Sequence, residues 1–176
     1  MMRRYFIGLL CLFLLVMQGM AMSMLPSKLV YSDLLMTPHW ILIFLFIVAI
    51  FYDKDETYQA VWFALFFGLL VDVVYTGVLG VYMVTYAVVT YIVHGLNKLL
   101  HANFVTASIL AVIGVAIADT LLYVIYSFVQ ITAMSWGDYV LLRLLPTLAA
   151  NMIFFILLYP LVKERVSLLG EEINNT

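Results

Sequence analysis

Charge is what this chain has least of. Of its 176 residues only 8 are lysine or arginine and 10 are aspartate or glutamate, so 10% are charged, where soluble domains carry roughly a quarter. A single cysteine, Cys11, excludes an intrachain disulfide framework. No polar stretch approaches the roughly 50 residues that a separate soluble domain needs. The G-x-S-x-G, H-E-x-x-H and P-loop signatures are missing. No serine has a histidine in register with it that would suggest intramembrane proteolysis. His94 and His101 stand in one polar-edged region without a cysteine or carboxylate at ligand spacing, so they read as interfacial histidines rather than metal ligands. A soluble catalytic domain is excluded, and the sequence nominates no catalytic residue, no cofactor, no metal site and no nucleic-acid surface.

What fills the space instead is apolar: 66% of the residues are hydrophobic. They gather in six runs, at residues 5–24, 34–52, 58–75, 78–96, 104–130 and 140–162. The sequence therefore predicts an all-α polytopic membrane protein, a six-transmembrane-helix bundle forming one integral domain over residues 1–176. The first run follows Arg3 and Arg4 and has the look of a signal peptide, but its length suits a spanning helix better than an h-region of about 7–15 residues. An uncleaved signal anchor is expected. The second run is short for a span and leaves a tilted or re-entrant segment open. The fifth would extend about 40 Å as a helix, beyond the roughly 30 Å hydrocarbon core, so it should tilt or project. On that run Ala107, Ala111, Gly114 and Ala118 share one face, where another helix of the bundle or a partner helix could approach closely. Tyr52, Tyr58, Trp136, Tyr139 and Tyr159 lie near run ends, as interfacial anchors do.

The basic residues set the expected orientation. With the N-terminus in the cytoplasm the inner side holds Arg3, Arg4, Lys54, Lys98, Lys163 and Arg165, and the outer side keeps Lys28, with Arg143 a little way inside the outer end of the sixth run. The positive-inside rule favours this arrangement, with both termini cytoplasmic.

Three charged residues then fall in the outer half of the bundle: Asp72 on the third run, Asp119 on the fifth and Arg143 on the sixth. Each costs a few kcal/mol to insert alone, and a guanidinium suits a buried carboxylate. Arg143 is expected to pair with Asp119, with Asp72, or with both, and Thr147 and Asn151 continue its helix face. Such a cluster could simply hold the bundle together, line a partner- or substrate-binding pocket, or serve as a proton or ion relay.

The stretch Gly68 to Gly95, GLLVDVVYTGVLGVYMVTYAVVTYIVHG, is a pair of apolar runs around a turn bracketed by Gly77 and Gly80. It resembles the signature hairpin of the rod shape-determining MreD family, with Gly68, Asp72, Gly80 and Tyr86 at the matching positions. The sixth run, with Arg143, Pro146, Asn151 and Pro160, is similar to that family's last helix. The resemblance implies a non-enzymatic membrane scaffold for cell elongation and lateral peptidoglycan synthesis. It further implies association with MreC and, through it, with MreB, RodA and a class B penicillin-binding protein. It also implies a fold like the six-helix substrate-binding subunits of energy-coupling-factor vitamin transporters, which supply the competing function. Short outer connections, the longest from Pro26 to His39, and the lack of an alanine-rich first helix favour the shape-determining reading.

Overall fold

The computed structural model describes residues 5–24, 35–53 and 57–174. Arg3 and Arg4, the connection carrying Pro26, Lys28 and Asp33, and the charges Lys54 to Glu56 lie outside the described residues. The described residues form six main helices: α1 (Phe6–Met24), α2 (Trp40–Phe51), α3 (Gln59–Tyr75), α4 (Val81–Asn97), α5 (Phe104–Phe128) and α6 (Leu145–Asn174). A short helical turn, Trp136–Asp138, and a π-helical turn, Tyr139–Leu144, lead into α6. Among the described residues there is no strand. The spans of α5 and of Trp136–Glu171 are long and apolar enough to cross a membrane, and the other four helices are shorter and also apolar.

The bundle is arranged around α2. Every residue from Ile41 to Ile50 is buried, and α2 packs on all five other helices. A helix that is hydrophobic all round belongs in the middle of its protein, and WILIFLFIVAIF has no polar face to offer elsewhere. The small residues of α5 serve this packing. Ala107, Ala111, Gly114 and Ala118 are all buried, and a side chain at Gly114 would meet the Phe46 ring of α2 and Val93 of α4. That face is used inside the bundle.

Three boundaries differ from the sequence expectation. The second apolar run is not helical from its start: residues 35–39 are irregular, and α2 begins at Trp40. Pro38 accounts for the delay, since the residue before a proline is pushed out of the helical region. At the other end of the chain the polar residues beyond the sixth apolar run, which ends at Val162, are helical. They continue α6 to Asn174, and they are held by burial of Val166 and by close approach of Gly170 to the Phe51 and Tyr52 backbone. Between these, the sixth run opens as a π turn. Pro146 has no N–H to give Leu142, and a proline ring crowds the carbonyl four residues earlier. Leu145 bonds back instead to the Val140 carbonyl, a π-type spacing.

One end of the bundle collects polar groups. Asp53 accepts from the N–H groups of Gln59 (3.1 Å) and Ala60 (2.8 Å), satisfying the start of α3. Burial pushes the Asp53 carboxyl up from its ordinary range, against the pull of those two N–H groups. At the same end Lys98 lies 5.5 Å over the Tyr58 ring and Lys163 lies 5.7 Å over the Phe51 ring.

Just past the middle of α3, Gly68 touches α4 so closely that a Cβ would stand 2.7 Å from the Met83 Cα and 2.8 Å from the Tyr82 carbonyl oxygen. Those are backbone atoms, and they cannot turn aside. Gly77, by contrast, has open space around it. We expect Gly68→Ala to lower the stability of the purified protein by about 1–3 kcal/mol, the usual cost of overpacking. Gly77→Ala should stay within about 0.5 kcal/mol. Thermal unfolding in detergent, followed by helical circular dichroism, measures both.

Candidate functional site

The two buried aspartates have different partners. Asp72, on the last turn of α3, points across the hairpin at the first turn of α4. Its Oδ2 accepts from the N–H groups of Gly80 (2.9 Å) and Met83 (3.1 Å), and its Oδ1 from Tyr82 N–H (3.0 Å). Thr76 adds a hydroxyl at 3.4 Å. A helix start exposes N–H groups without partners, and a carboxylate there also meets the positive end of the helix dipole. Gly80, the residue before α4, has φ +94°, a conformation that a residue with a Cβ adopts only at a cost. Gly68, Asp72 and Gly80 are therefore one device that docks α4 on α3. Asp72 was expected as a possible partner of Arg143. Its oxygens are instead taken up by the backbone of α4.

Arg143 pairs with Asp119. It donates from Nε and from Nη2 to Asp119 Oδ1, each at 3.3 Å. Asp119 is fully buried, while the Arg143 side chain keeps 18% of its surface exposed. The π turn brings the guanidinium to this place on the flank of α5.

The third member of the cluster was not singled out in the sequence. His39, fully buried, stands with Nε2 3.6 Å from Asp119 Oδ1 and Nδ1 3.0 Å from the Tyr86 hydroxyl. The Gln18 side chain of α1 reaches the same hydroxyl, and its Oε1 accepts from Ile41 N–H at 3.3 Å. Five segments thus meet through side chains: α1, the connection 35–39, α4, α5 and the π turn. The signal that could have found His39 was its position, a polar side chain directly before an uninterrupted apolar run.

The irregular connection that carries His39 is bound to the last helix. Asn151 donates to the Thr37 carbonyl (2.8 Å) and accepts from His39 N–H (2.7 Å). Thr147 Oγ1 accepts from Thr37 N–H at 3.0 Å. Leu35 N–H donates to the Leu142 carbonyl at 2.8 Å, the carbonyl that Pro146 cannot serve. The i, i+4 spacing of Thr147 and Asn151 places both side chains on one face of α6, opposite the connection. Among the described residues no group of three or more metal-ligating side chains occurs.

A family model described as rod shape-determining protein MreD matches residues 2–166 of the chain. The chain belongs to the MreD family. Rod shape-determining protein MreD of Bacillus subtilis (strain 168) is 25% identical to it over 150 residues, which cover 85% of this chain and 86% of that protein. No solved structure matches the chain. MreD proteins are membrane proteins, and the apolar bundle fits that setting. The hairpin residues that carry the resemblance divide between two jobs in this chain. Gly68, Asp72 and Gly80 close the α3–α4 junction, and Tyr86 joins the His39–Asp119–Arg143 cluster.

Two measurements separate those jobs. Asp72→Ala strips the cap from α4 and should cost about 1–2 kcal/mol, the range for losing an N-terminal cap; Asp72→Asn should recover part of it. Arg143→Met leaves Asp119 buried without its counter-charge and should cost about 3–5 kcal/mol. Adding Asp119→Asn should return much of that loss, giving a coupling energy for the pair and none between Arg143 and Asp72. Unfolding of the single and double variants in detergent provides the cycle.

Proposed function

We propose that this chain is a non-enzymatic membrane scaffold of the machinery that gives rod-shaped bacteria their shape. In this reading it crosses the cell membrane six times with both termini in the cytoplasm. It associates with MreC and, through MreC, with MreB, RodA and a class B penicillin-binding protein, so that lateral peptidoglycan synthesis is positioned along the cell. The observation that carries the reading is the family match over residues 2–166, together with the likeness to a rod shape-determining protein. These support a role in cell shape.

The topology draws support from the arrangement of charge. Lys98 and Lys163 lie at the end of the bundle where Asp53 caps α3. The Asp72 and Arg143 sites sit toward the other end, and the positive-inside rule puts the lysine end in the cytoplasm. Support for a scaffold comes from how the polar side chains are used. Asp72, Asn151 and Thr147 bond to backbone of the same chain, which makes a stiff bundle on which a partner can be placed. Its lipid-side surface includes the exposed apolar row Trp62, Phe66 and Val73 on α3, and Leu9, Phe13 and Val16 on α1. A single-pass partner helix would pack on such a surface by close fit rather than by hydrophobic driving force.

Depletion of the protein from a rod-shaped host should round or widen the cells, and restoration of the intact chain should reverse it; unchanged shape would sink the reading. Affinity purification from membranes should bring down MreC. Recovery of an energy-coupling transmembrane subunit in its place would assign the chain to vitamin transport.

A further inference from the structure

The first two turns of α3 border a groove on the outside of the bundle. Gln59, Trp62, Phe63 and Phe66 recur at i, i+3, i+4 and i+7, the spacing of one helix face, and they line an open space of about 480 Å³. Phe63 lies on the α1 side, where a Cβ at Gly8 would meet its ring at 3.7 Å. Trp62 keeps 70% and Phe66 59% of its surface exposed. Three aromatic rings thus form the body of the groove, and one amide marks its end. That end belongs to the polar end of the bundle. Gln59 Oε1 accepts from the Tyr52 hydroxyl at 3.3 Å, and Tyr58, its neighbour in the chain, has Lys98 5.5 Å over its ring. The Asp53 carboxylate at the same end is turned to the Gln59 and Ala60 N–H groups.

Size and polarity decide what fits. One turn of an α-helix, about 10 Å across and 5.4 Å long, occupies about 420 Å³, so the groove holds scarcely more than a single turn. Helix docking in membranes also favours small residues that let backbones approach, and here the wall is made of bulky rings. Volumes of about 300–1,000 Å³ are usual for sites that take one small molecule. An apolar body, a polar end and a positive charge beside that end match an amphiphile with a negative headgroup. Tryptophan and tyrosine favour the headgroup level of a bilayer, which suits Trp62 and Tyr58, and lysines beside a membrane attract anionic lipids.

We propose that the groove between α1 and α3 binds one anionic phospholipid, with an acyl chain along Trp62, Phe63 and Phe66 and the phosphate beside Gln59, Tyr58 and Lys98. The Gln59 amide NH2 can donate to a phosphate oxygen, and the Lys98 ammonium offers its charge from its place over the Tyr58 ring. In the proposed topology the lysine end is cytoplasmic, so the lipid comes from the inner leaflet. The groove takes only the lysine end of the exposed row on α3, and Val73 lies two turns beyond Phe66; a bound lipid and a partner helix can therefore share that face. The scaffold reading can fail without touching this proposal, because the lipid is held by the isolated chain.

The test is quenching of tryptophan fluorescence by brominated lipids, with the full chain reconstituted in phosphatidylcholine vesicles. The chain has three tryptophans. Trp40→Phe with Trp136→Phe leaves Trp62 as the reporter; Trp40→Phe with Trp62→Phe leaves Trp136, which reports ordinary boundary lipid. Half-maximal quenching of Trp62 should need about fivefold less brominated phosphatidylglycerol than brominated phosphatidylcholine, the selectivity that one lysine gives near anionic lipid. Trp136 should show no preference. Lys98→Gln should bring the two lipids level at Trp62, and Phe66→Ala should also erase the preference, both at unchanged helical circular dichroism. Equal quenching of Trp62 by the two lipids in the otherwise intact chain means boundary lipid alone and overturns the site. So does a preference that Trp136 shares, or one that survives either substitution. Trp62 shielded from both lipids would show that protein, such as a second copy of the chain, covers the groove, and would equally overturn the proposal.

Discussion

Asn151 donates to the Thr37 carbonyl and accepts from the His39 amide, and through that pair of bonds a stretch of irregular backbone is fastened along the apolar bundle, with His39 buried in it. Away from water, each unpaired peptide group costs several kcal/mol, so non-helical backbone at membrane depth survives only where protein satisfies it. Thr147 and the Leu142 carbonyl complete the set. His39 can be delivered to Asp119 only because this stretch is held. The polar cluster and the position of α2 thus both rest on a few side chains of the last helix.

The hairpin solves the same problem at another place. There the unpaired groups are the N–H groups at the start of α4, and the solution is a carboxylate borrowed from α3. Gly68 lets the helices come close enough for Asp72 to reach, and Gly80 turns the chain so that three N–H groups converge on it. Asp72 is neutralised by amide dipoles, Asp119 by a guanidinium. This difference explains how two buried acids can coexist when a single arginine, Arg143, pairs with one of them.

Much of this was legible in the sequence. Apolar runs located all six helices, because in an apolar solvent the helix is nearly the only way for a single segment to satisfy its own backbone. That Arg143 pairs with Asp119, with Asp72, or with both followed from the expected orientation and the charge count, but which of the three did not. Nor did the destination of Asp72, since carboxylates bind backbone N–H groups as readily as cations and a sequence shows only the cations. His39 was passed over because an isolated histidine beside a proline carries no periodic signal. The helical tail beyond Val162 was hidden by its polar composition, although Val162, Val166 and Gly170 keep the i, i+4, i+8 spacing of one face toward α2. Pro146 was visible, but its consequence, a π turn with a spare carbonyl at Leu142, required the partner at Leu35.

The length of α2 shows how these pieces depend on one another. Its 12 residues rise only about 18 Å as a helix, well short of a hydrocarbon core of about 30 Å. The connection 35–39, if drawn out at about 3.3 Å per residue, adds about 16 Å and makes up the difference. In the proposed topology the second crossing is then part helix and part side-chain-bound backbone. The helical part is secured by ten buried residues, Ile41 to Ile50; the irregular part depends on Asn151, Thr147 and the π turn. His39 sits at the junction of the two halves, bonded to Asn151 through its backbone and facing Asp119 and Tyr86 through its ring.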